Sequence, residues 1–487
     1  MGQSPTTCRL QFLSQGDVER IHLASLELLQ NPGFLCESDR ILDTFEHAGV
    51  TVDRRQKIIR LSQEWVQAAL ARAPKAFTLY GRAPGRELTV EAGHTYFGMG
   101  GASEPFVWDY DLMGPRQPTK DDMIRCTRLG QKLENVDFVM SLCSAGDRPK
   151  PHVFLHEFDA LLRNTDKPVV YSAPGRFHAA VFVEMAAAAC GGHEALRQRP
   201  CIAGLVTPTA PLQATQLDES LYEYAASGIP ILIRPGPMMG ATGPVSIIGT
   251  LAQTNAEALF ILVLSQLVEP GTPVIYGPSI PAMDMATTLC TYGSPDEAMG
   301  RAMVAQMGTF YELPSWNTAA TEAKLPDAAA ASEAMMGIML NAMSGMTMTQ
   351  SLGTLASGFY GAPEMAVIGD EMARMVKYLM RGSSVDEDTL AIDAIREVGH
   401  RGNFLSHEHT ACMFRQQLYF PQLFRRQTIQ KWQAAGSQSI LETAHQQVDA
   451  LLDTAKPIAL PAGADAELER ILTRAIRDID KTATNSS

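Results

Sequence analysis

No Gly-x-Gly-x-x-Gly motif follows a strand-like run in this chain, and it contains neither a Walker loop nor a Gly-x-Ser-x-Gly elbow. Dinucleotide, nucleoside-triphosphate and serine-hydrolase chemistry therefore have no motif to rest on. No run of about 18 apolar residues occurs. The longest candidate, Ala256 to Val268, is interrupted by Glu257, Ser265 and Gln266, which predicts a buried helix and no membrane partner. The eight cysteines are scattered, without one Cys-x-x-Cys pair. That excludes a disulfide framework or a paired-thiol metal site and predicts free thiols in a reducing compartment. The first residues, MGQSPTTCRLQF, carry no basic stretch ahead of an apolar core, so no secretory leader and a cytoplasmic location are expected. Charged residues are only 19% of the chain and the net charge is −13. Nucleic acid is excluded as the main partner, because phosphate recognition requires clustered Lys and Arg.

What is present is apolar and regularly punctuated. Of 487 residues, 46% are hydrophobic, enough for a large core and against wholesale disorder. Ser14 or Asp17 caps a helix running to Leu29, with Val18, Ile21, Ser25, Leu28 and Leu29 on one face. Ile41 to His47 and Ser62 to Ala73 read as further helices. Glu87 to Met99 and Phe106 to Asp109 read as a short β ribbon, and Thr119 opens a capped helix.

From Val136 onward, strand-like and helix-like runs alternate. Strands are predicted at 136–141, 168–172, 201–207, 229–234, 273–276, 310–316, 346–350 and 366–369, each followed by helical or loop sequence. Eight such units predict an α/β chain built on a closed (β/α)8 TIM barrel. The division expected is an N-terminal helical and β-ribbon cap at 1–134, a barrel at 135–382 and a C-terminal helical cap at 383–487.

In such folds ligands gather in the loops after the strands. The stretch from Pro235 to Asp284 is the most informative: a Gly- and Met-rich loop, a long apolar helix, a strand and a second Gly- and Pro-rich loop. Met238, Met239, Thr242, Tyr276 and Asp284 become candidates from topology. Tyr171, Tyr276, Tyr292, Trp316, Phe359 and Tyr360, with Phe97 and Trp108 from the ribbon, fall in predicted loops near acidic residues. Rings beside carboxylates suit a quaternary ammonium; equally, they suit core and rim packing. His156, just after the first predicted strand, is either a carboxylate ligand or a helix cap. His400, His407, Glu408 and His409 are either a metal cluster or a solvated turn.

The runs GATGPVSIIGTLAQTNAEALFILVLSQLVEPGTPVIYG, PAMDM, GSPDE, YELPS, TEAKLPDA and GNFLSHEHT, with LSQGDVERIHLASLELL near the start, together resemble the trimethylamine methyltransferase family across nearly the whole chain. The resemblance implies a (β/α)8 barrel that moves a methyl group from an amine to the cobalt(I) of a corrinoid. The cobalamin-type cofactor would be carried by a separate small corrinoid protein, and this chain would bind no metal directly. Archaeal trimethylamine enzymes of the family carry pyrrolysine in the barrel, in a region matching Trp316 to Asp327. Here every residue is a standard one, as in the non-pyrrolysine branch that includes glycine betaine methyltransferases.

On that resemblance, Phe97, Trp108, Tyr276, Trp316 and Phe359 are expected to line a quaternary-amine site. His156 and Arg234 are expected to hold a substrate carboxylate. Met238, Met239, Gly240, Thr242 and Gly243 are expected to let the corrin ring approach. A homo-oligomer acting on a small quaternary amine, glycine betaine first among them, is expected. Proline betaine, carnitine, choline and γ-butyrobetaine are alternatives, as is a non-catalytic quaternary-amine binding protein.

Overall fold

A computed structural model describes residues 9–101 and 103–485. Eight parallel strands form one sheet: β1 (Tyr96–Met99), β2 (Phe138–Val139), β3 (Val169–Ser172), β4 (Ile202–Val206), β5 (Ile231–Ile233), β6 (Val274–Tyr276), β7 (Trp316–Thr318) and β8 (Met348–Leu352). They lie side by side in chain order, with β8 next to β1. A bridge between Tyr276 and Ser315 joins β6 to β7, where the Tyr276 N–H donates to the Pro314 carbonyl at 2.8 Å. The sheet therefore closes on itself, and the expected (β/α)8 barrel is what forms.

Eight helices follow the strands in turn: α1 (Lys120–Lys132), α2 (Val153–Asn164), α3 (Arg176–Cys190), α4 (Ser220–Ala226), α5 (Ile247–Val268), α6 (Pro295–Phe310), α7 (Ala328–Ser344) and α8 (Pro363–Arg381). Caps predicted from sequence hold locally. Thr119 and Asp122 make a reciprocal capping box on α1, and Ser14 and Asp17 do the same for the helix Gln15–Gln30.

The expected strand count is correct, but its register along the chain is off by one unit. Tyr96–Met99, read as ribbon, is the first barrel strand. Ala366–Gly369, read as the eighth strand, lies inside α8. A four-residue apolar run cannot by its period distinguish strand from buried helix, and here Pro363 in the first turn starts a helix. The barrel thus begins inside the segment expected to be cap. Gly98 explains why β1 reads weakly: a Cβ there would lie 2.1 Å from the Phe138 ring. The ribbon is made instead by Phe106–Asp109 paired with Gly114–Arg116. After β4 the connection to the short α4 includes a two-residue strand, Gln213–Ala214, paired with Phe34–Cys36.

The lower barrel interior is filled by Phe138, Val170, Leu205, Leu232, Ile275, Trp316 and Met348. A hairpin of Ala76–Leu79 and Leu88–Glu91 adds Leu79, Leu88 and Val90 to that cluster and plugs the end where the strands begin. Access from solvent to the axis is left to the end where the strands finish.

Helix α5 is long and apolar enough to cross a membrane by length and composition, yet most of its surface is buried within the protein. It is apolar on nearly every side, as a helix enclosed by neighbours must be. The N-terminal helices Gln15–Gln30, Asp39–Ala48 and Gln63–Arg72 pack on it. Their contact includes a polar node: Asn255 donates to Ser25 Oγ and to Tyr311 Oη, both at 2.8 Å.

Candidate active site at the strand ends

Alternation along β5 and β7 places Leu232 and Trp316 on the inner face. Arg234, two residues beyond Leu232, shares that face at the mouth. Its guanidinium carbon stands 5.0 Å from the Trp316 ring centroid. Among the described residues no side chain hydrogen-bonds that guanidinium. Arg234 is half-buried and Trp316 fully buried, so a bare cation stands over a ring in a place shielded from bulk water. Gln350, two residues after the interior Met348, is buried with its carbonyl oxygen unpartnered. The Thr318 hydroxyl donates to Ser351 Oγ at 2.8 Å and bridges the ends of β7 and β8.

The loop after β6 makes a small hairpin, Ala282–Met283 with Cys290–Thr291, and runs on to Tyr292. The Tyr292 phenol lies among Arg234, Cys290 and Glu297, and burial raises its pKa. Below it, Arg301 is fully buried on α6. It donates to the Tyr292 carbonyl at 3.0 Å and to the Thr318 carbonyl, tying the hairpin to β7. Glu297 stands 3.5 Å from Arg301 without hydrogen-bonding it. Burial pushes the Glu297 carboxyl up to about 8, the Arg301 charge opposing. Glu322 accepts from the Gly293 N–H at 2.6 Å and from the Tyr292 N–H.

A second acid pair lies across the mouth. Glu104, in the loop after β1, accepts from the Thr354 hydroxyl at 3.0 Å, and burial raises its carboxyl to about 8. Glu157 on α2 accepts from Ser103 Oγ at 2.8 Å, the Ala145 N–H at 3.1 Å and the Tyr171 hydroxyl. Burial raises it to about 7 against those hydrogen bonds. Burial thus favours the protonated form of Glu104 and Glu297, because desolvation disfavours the charged form, with Arg301 opposing it at Glu297.

Of the side chains expected to line the substrate site, the structure brings Arg234 and Trp316 together. Phe97 and Tyr276 occupy outward positions of β1 and β6. Phe97 is buried beneath Lys377 of α8, with 5.7 Å from ammonium to ring centroid. The Tyr276 hydroxyl donates to Asn255 of α5 at 2.7 Å. Trp108 belongs to the ribbon and stacks against Tyr360 at 6.3 Å, while Phe359 is exposed and stacks on Phe106 at 6.4 Å. His156 lies on α2, 3.3 Å from the Lys120 ammonium of α1, and burial with that neighbour lowers it to about 4. An aromatic cage of the expected members does not assemble, and the face of Trp316 is taken by Arg234.

Met238 to Gly243 form one tight turn at the rim. The Met238 N–H donates to Thr242 Oγ1 at 2.9 Å, and the Gly243 N–H to the Met238 carbonyl at 2.9 Å. Gly240 takes a φ of +84° there, with Met285 Sδ 3.5 Å from where a Cβ would sit. Met239 is clamped to the neighbouring hairpin through the Pro281 carbonyl. Asp284 folds back on its own loop, accepting from the Ala286 and Thr287 N–H groups. Around this turn Val245, Ile248, Met285 and Leu289 present apolar surface to solvent.

His407 and His409 are spent on the chain itself, and His400 is exposed. His407 caps the helix Glu408–Gln417, accepting from the His409 N–H at 3.1 Å, and lies 3.2 Å from Glu397. His409 hydrogen-bonds the Asp388 carbonyl at 2.9 Å. Among the described residues no group of three His, Cys, Asp or Glu side chains is set to hold a metal.

Residues 3–479 match the family model described as trimethylamine methyltransferase (MTTB). The chain belongs to that family. It is 32% identical over 469 residues to the trimethylamine methyltransferase MttB of Desulfitobacterium hafniense strain DSM 10664 / DCB-2, covering 95% of this chain and 93% of the relative. It is 30% identical over 476 residues to the glycine betaine methyltransferase of Desulfitobacterium hafniense strain Y51, covering 97% and 98%. A solved structure with similarity is the Methanosarcina barkeri monomethylamine methyltransferase (MtmB), with a TM-score of 0.47, 13% identity and coverage of 93% and 97%. This trimethylamine methyltransferase family member is therefore an enzyme, a methyltransferase. Sequence reasoning did not single out Glu297 or Gln350, and gave Glu104 no role. The available signal was position: Gln350 follows Met348 by two along a strand, and Glu297 opens a helix beneath a loop.

Proposed function

We propose that the protein transfers a methyl group from a quaternary amine bearing a carboxylate, with glycine betaine as the best single substrate, to the cobalt(I) of a corrinoid presented by a partner protein. The observation that carries this is Arg234, an unpaired guanidinium fixed over Trp316 at the barrel mouth. A fixed Arg is suited to two-point carboxylate recognition. A relative named glycine betaine methyltransferase at 30% identity supports the same reading.

The chemistry fits a site without a covalent activator. The nitrogen of a quaternary amine is already cationic, so cobalt(I) supplies an electron pair to the methyl carbon, the C–N bond breaks, and the amine departs neutral with that bond's pair. Glycine betaine would leave as dimethylglycine, and the cobalt would become methylcobalt(III). The protein's part is positioning and exclusion of water. The burial of Glu104 and Glu297, which favours their protonated forms, supports this reading too. A charged carboxylate against the nitrogen would stabilise the onium more than the transition state, in which that charge is fading.

Positioning follows from the same residues. With the carboxylate on Arg234, the onium end points outward along the axis toward the Met238–Gly243 rim. The exposed Val245, Ile248, Met285 and Leu289 give a broad apolar partner something to rest on. The test mixes purified protein, reduced cobalamin and glycine betaine and follows the cobalt spectrum. Formation of methylcobalamin is the expected result; its failure with every quaternary amine tried would remove the catalytic reading and leave a binding protein.

A further inference from the structure

Residues 383–439 are unlike the rest of the chain. They hold four short helices, Glu387–Leu390, Ile392–Val398, Glu408–Gln417 and Ile429–Ala434. In the whole stretch only Ala394 and Leu423 are buried. Among the described residues 24 large apolar side chains are well exposed, and ten of them lie in this arm. Val385 and Leu405 are the extremes, at 84% and 87%. Short helices of this length do not persist in water without packing, and apolar surface on this scale marks a contact face.

Three features say what covers it. The arm is anchored to the later half of α8. Arg374 donates to the Phe420 carbonyl at 3.0 Å, Arg381 donates to the Gln416 carbonyl at 2.8 Å, and Glu371 accepts from the Leu423 N–H at 2.9 Å. Because α8 starts at the barrel mouth and runs away from it, these anchor points lie between its middle and the end opposite the site. Charge is also segregated along the arm. Residues 386–398 carry five acids and one base, and residues 399–439 carry five Lys or Arg and one acid. In a chain of net −13 the arm sums to zero, and its two halves complement each other. Finally, an open cavity of about 240 Å³ in the arm is lined by Leu423, Phe424 and Trp432 together with Ile440, and Leu405 and Val385 stand out from the arm's surface.

A surface carrying both signs, both knob and socket, is what an isologous contact requires, since each patch meets its opposite on an identical copy. We infer that residues 383–439 are a dimerisation arm, packing about a two-fold axis on the arm of a second copy of this chain, acidic half against basic half. The inference is independent of the substrate reading.

Sedimentation equilibrium of the full-length protein tests it. The expected mass is an even multiple of the chain mass. Leu405→Asp with Val385→Asp, both exposed in the protomer, halves it. Arg425→Glu with Arg426→Glu also halves it, and adding Glu387→Lys with Asp388→Lys restores it. Circular dichroism and methyl transfer to free reduced cobalamin report on folding and stay unchanged. A monomer at all concentrations overturns the inference. So does an oligomer that survives both disruptive variants, or arm variants that keep their mass but lose transfer to the corrinoid partner protein, which would make the arm that partner's seat.

Discussion

The guanidinium of Arg234 and the indole of Trp316 face each other at 5.0 Å across the inner wall of the barrel, one at the end of β5 and the other at the start of β7. The ring holds the cation in place without neutralising it. A cation–π contact leaves all five guanidinium N–H donors available for an incoming anion.

Substituting Arg234 by Ala is expected to weaken glycine betaine binding by about tenfold to a hundredfold, the range for losing hydrogen bonds to a charged group. Arg234→Lys is expected to recover only part, because an ammonium lacks the planar fork. Calorimetric titration reads both. Unchanged affinity in Arg234→Ala would take the carboxylate off this residue.

Tyr276→Phe is expected to leave substrate affinity unchanged and to lower stability by roughly 1–3 kcal/mol. Its hydroxyl serves Asn255 on the outer side of the barrel, and the variant leaves a buried amide oxygen without its donor. Denaturant unfolding together with calorimetry separates the two effects; a large loss of affinity at full stability would put Tyr276 back in the site.

Val245→Asp or Met285→Asp is expected to slow methyl transfer to a corrinoid protein while transfer to free cobalamin and betaine binding hold. Both side chains are more than two-thirds exposed, so the protomer tolerates the charge and only an apolar docking partner would meet it. Comparing the two acceptors in one assay gives the answer.

Glu257 sits fully buried on α5, accepting from the Leu212 N–H and from Gln253 at 3.0 Å each. Burial raises its carboxyl from 4.5 to about 7. The folded state then holds a proton that the unfolded state has released, so this group's contribution is complete below about pH 4.5 and is lost as pH rises to about 7. Glu257→Gln keeps the accepting oxygen and cannot ionise. Its melting temperature is expected to gain on the parent's between pH 5 and pH 7.5, and thermal melts at pH steps would show it; parallel profiles would mean that Glu257 is charged in the fold.

Much of this was legible before any coordinates. The alternation of β-branched runs with amphipathic stretches specified a (β/α)8 barrel, and Thr119 and Ser14 announced their helices through capping chemistry that needs only three neighbouring residues. The place of Arg234 at a strand end was legible as well, from the run Ile229 to Arg234 ahead of a Gly-rich loop. The cage of rings was not. Phe97 and Tyr276 sit on barrel strands, where a shift of one residue sends a side chain from axis to helix layer. With β1 unrecognised, no inner face could be assigned to Phe97.

The sequence by itself determined the class of fold and the family, because these depend on local pattern summed over hundreds of residues. Tertiary structure alone decided which polar groups meet. Glu104 and Thr354, or Arg301 and Tyr292, are distant or unremarkable neighbours in the chain, and only closure of the barrel brings them into one water-poor space. Burial there, a property of the whole fold and of no single segment, is what raises the Glu104 and Glu297 carboxyls and sets the Arg234 guanidinium over the Trp316 ring.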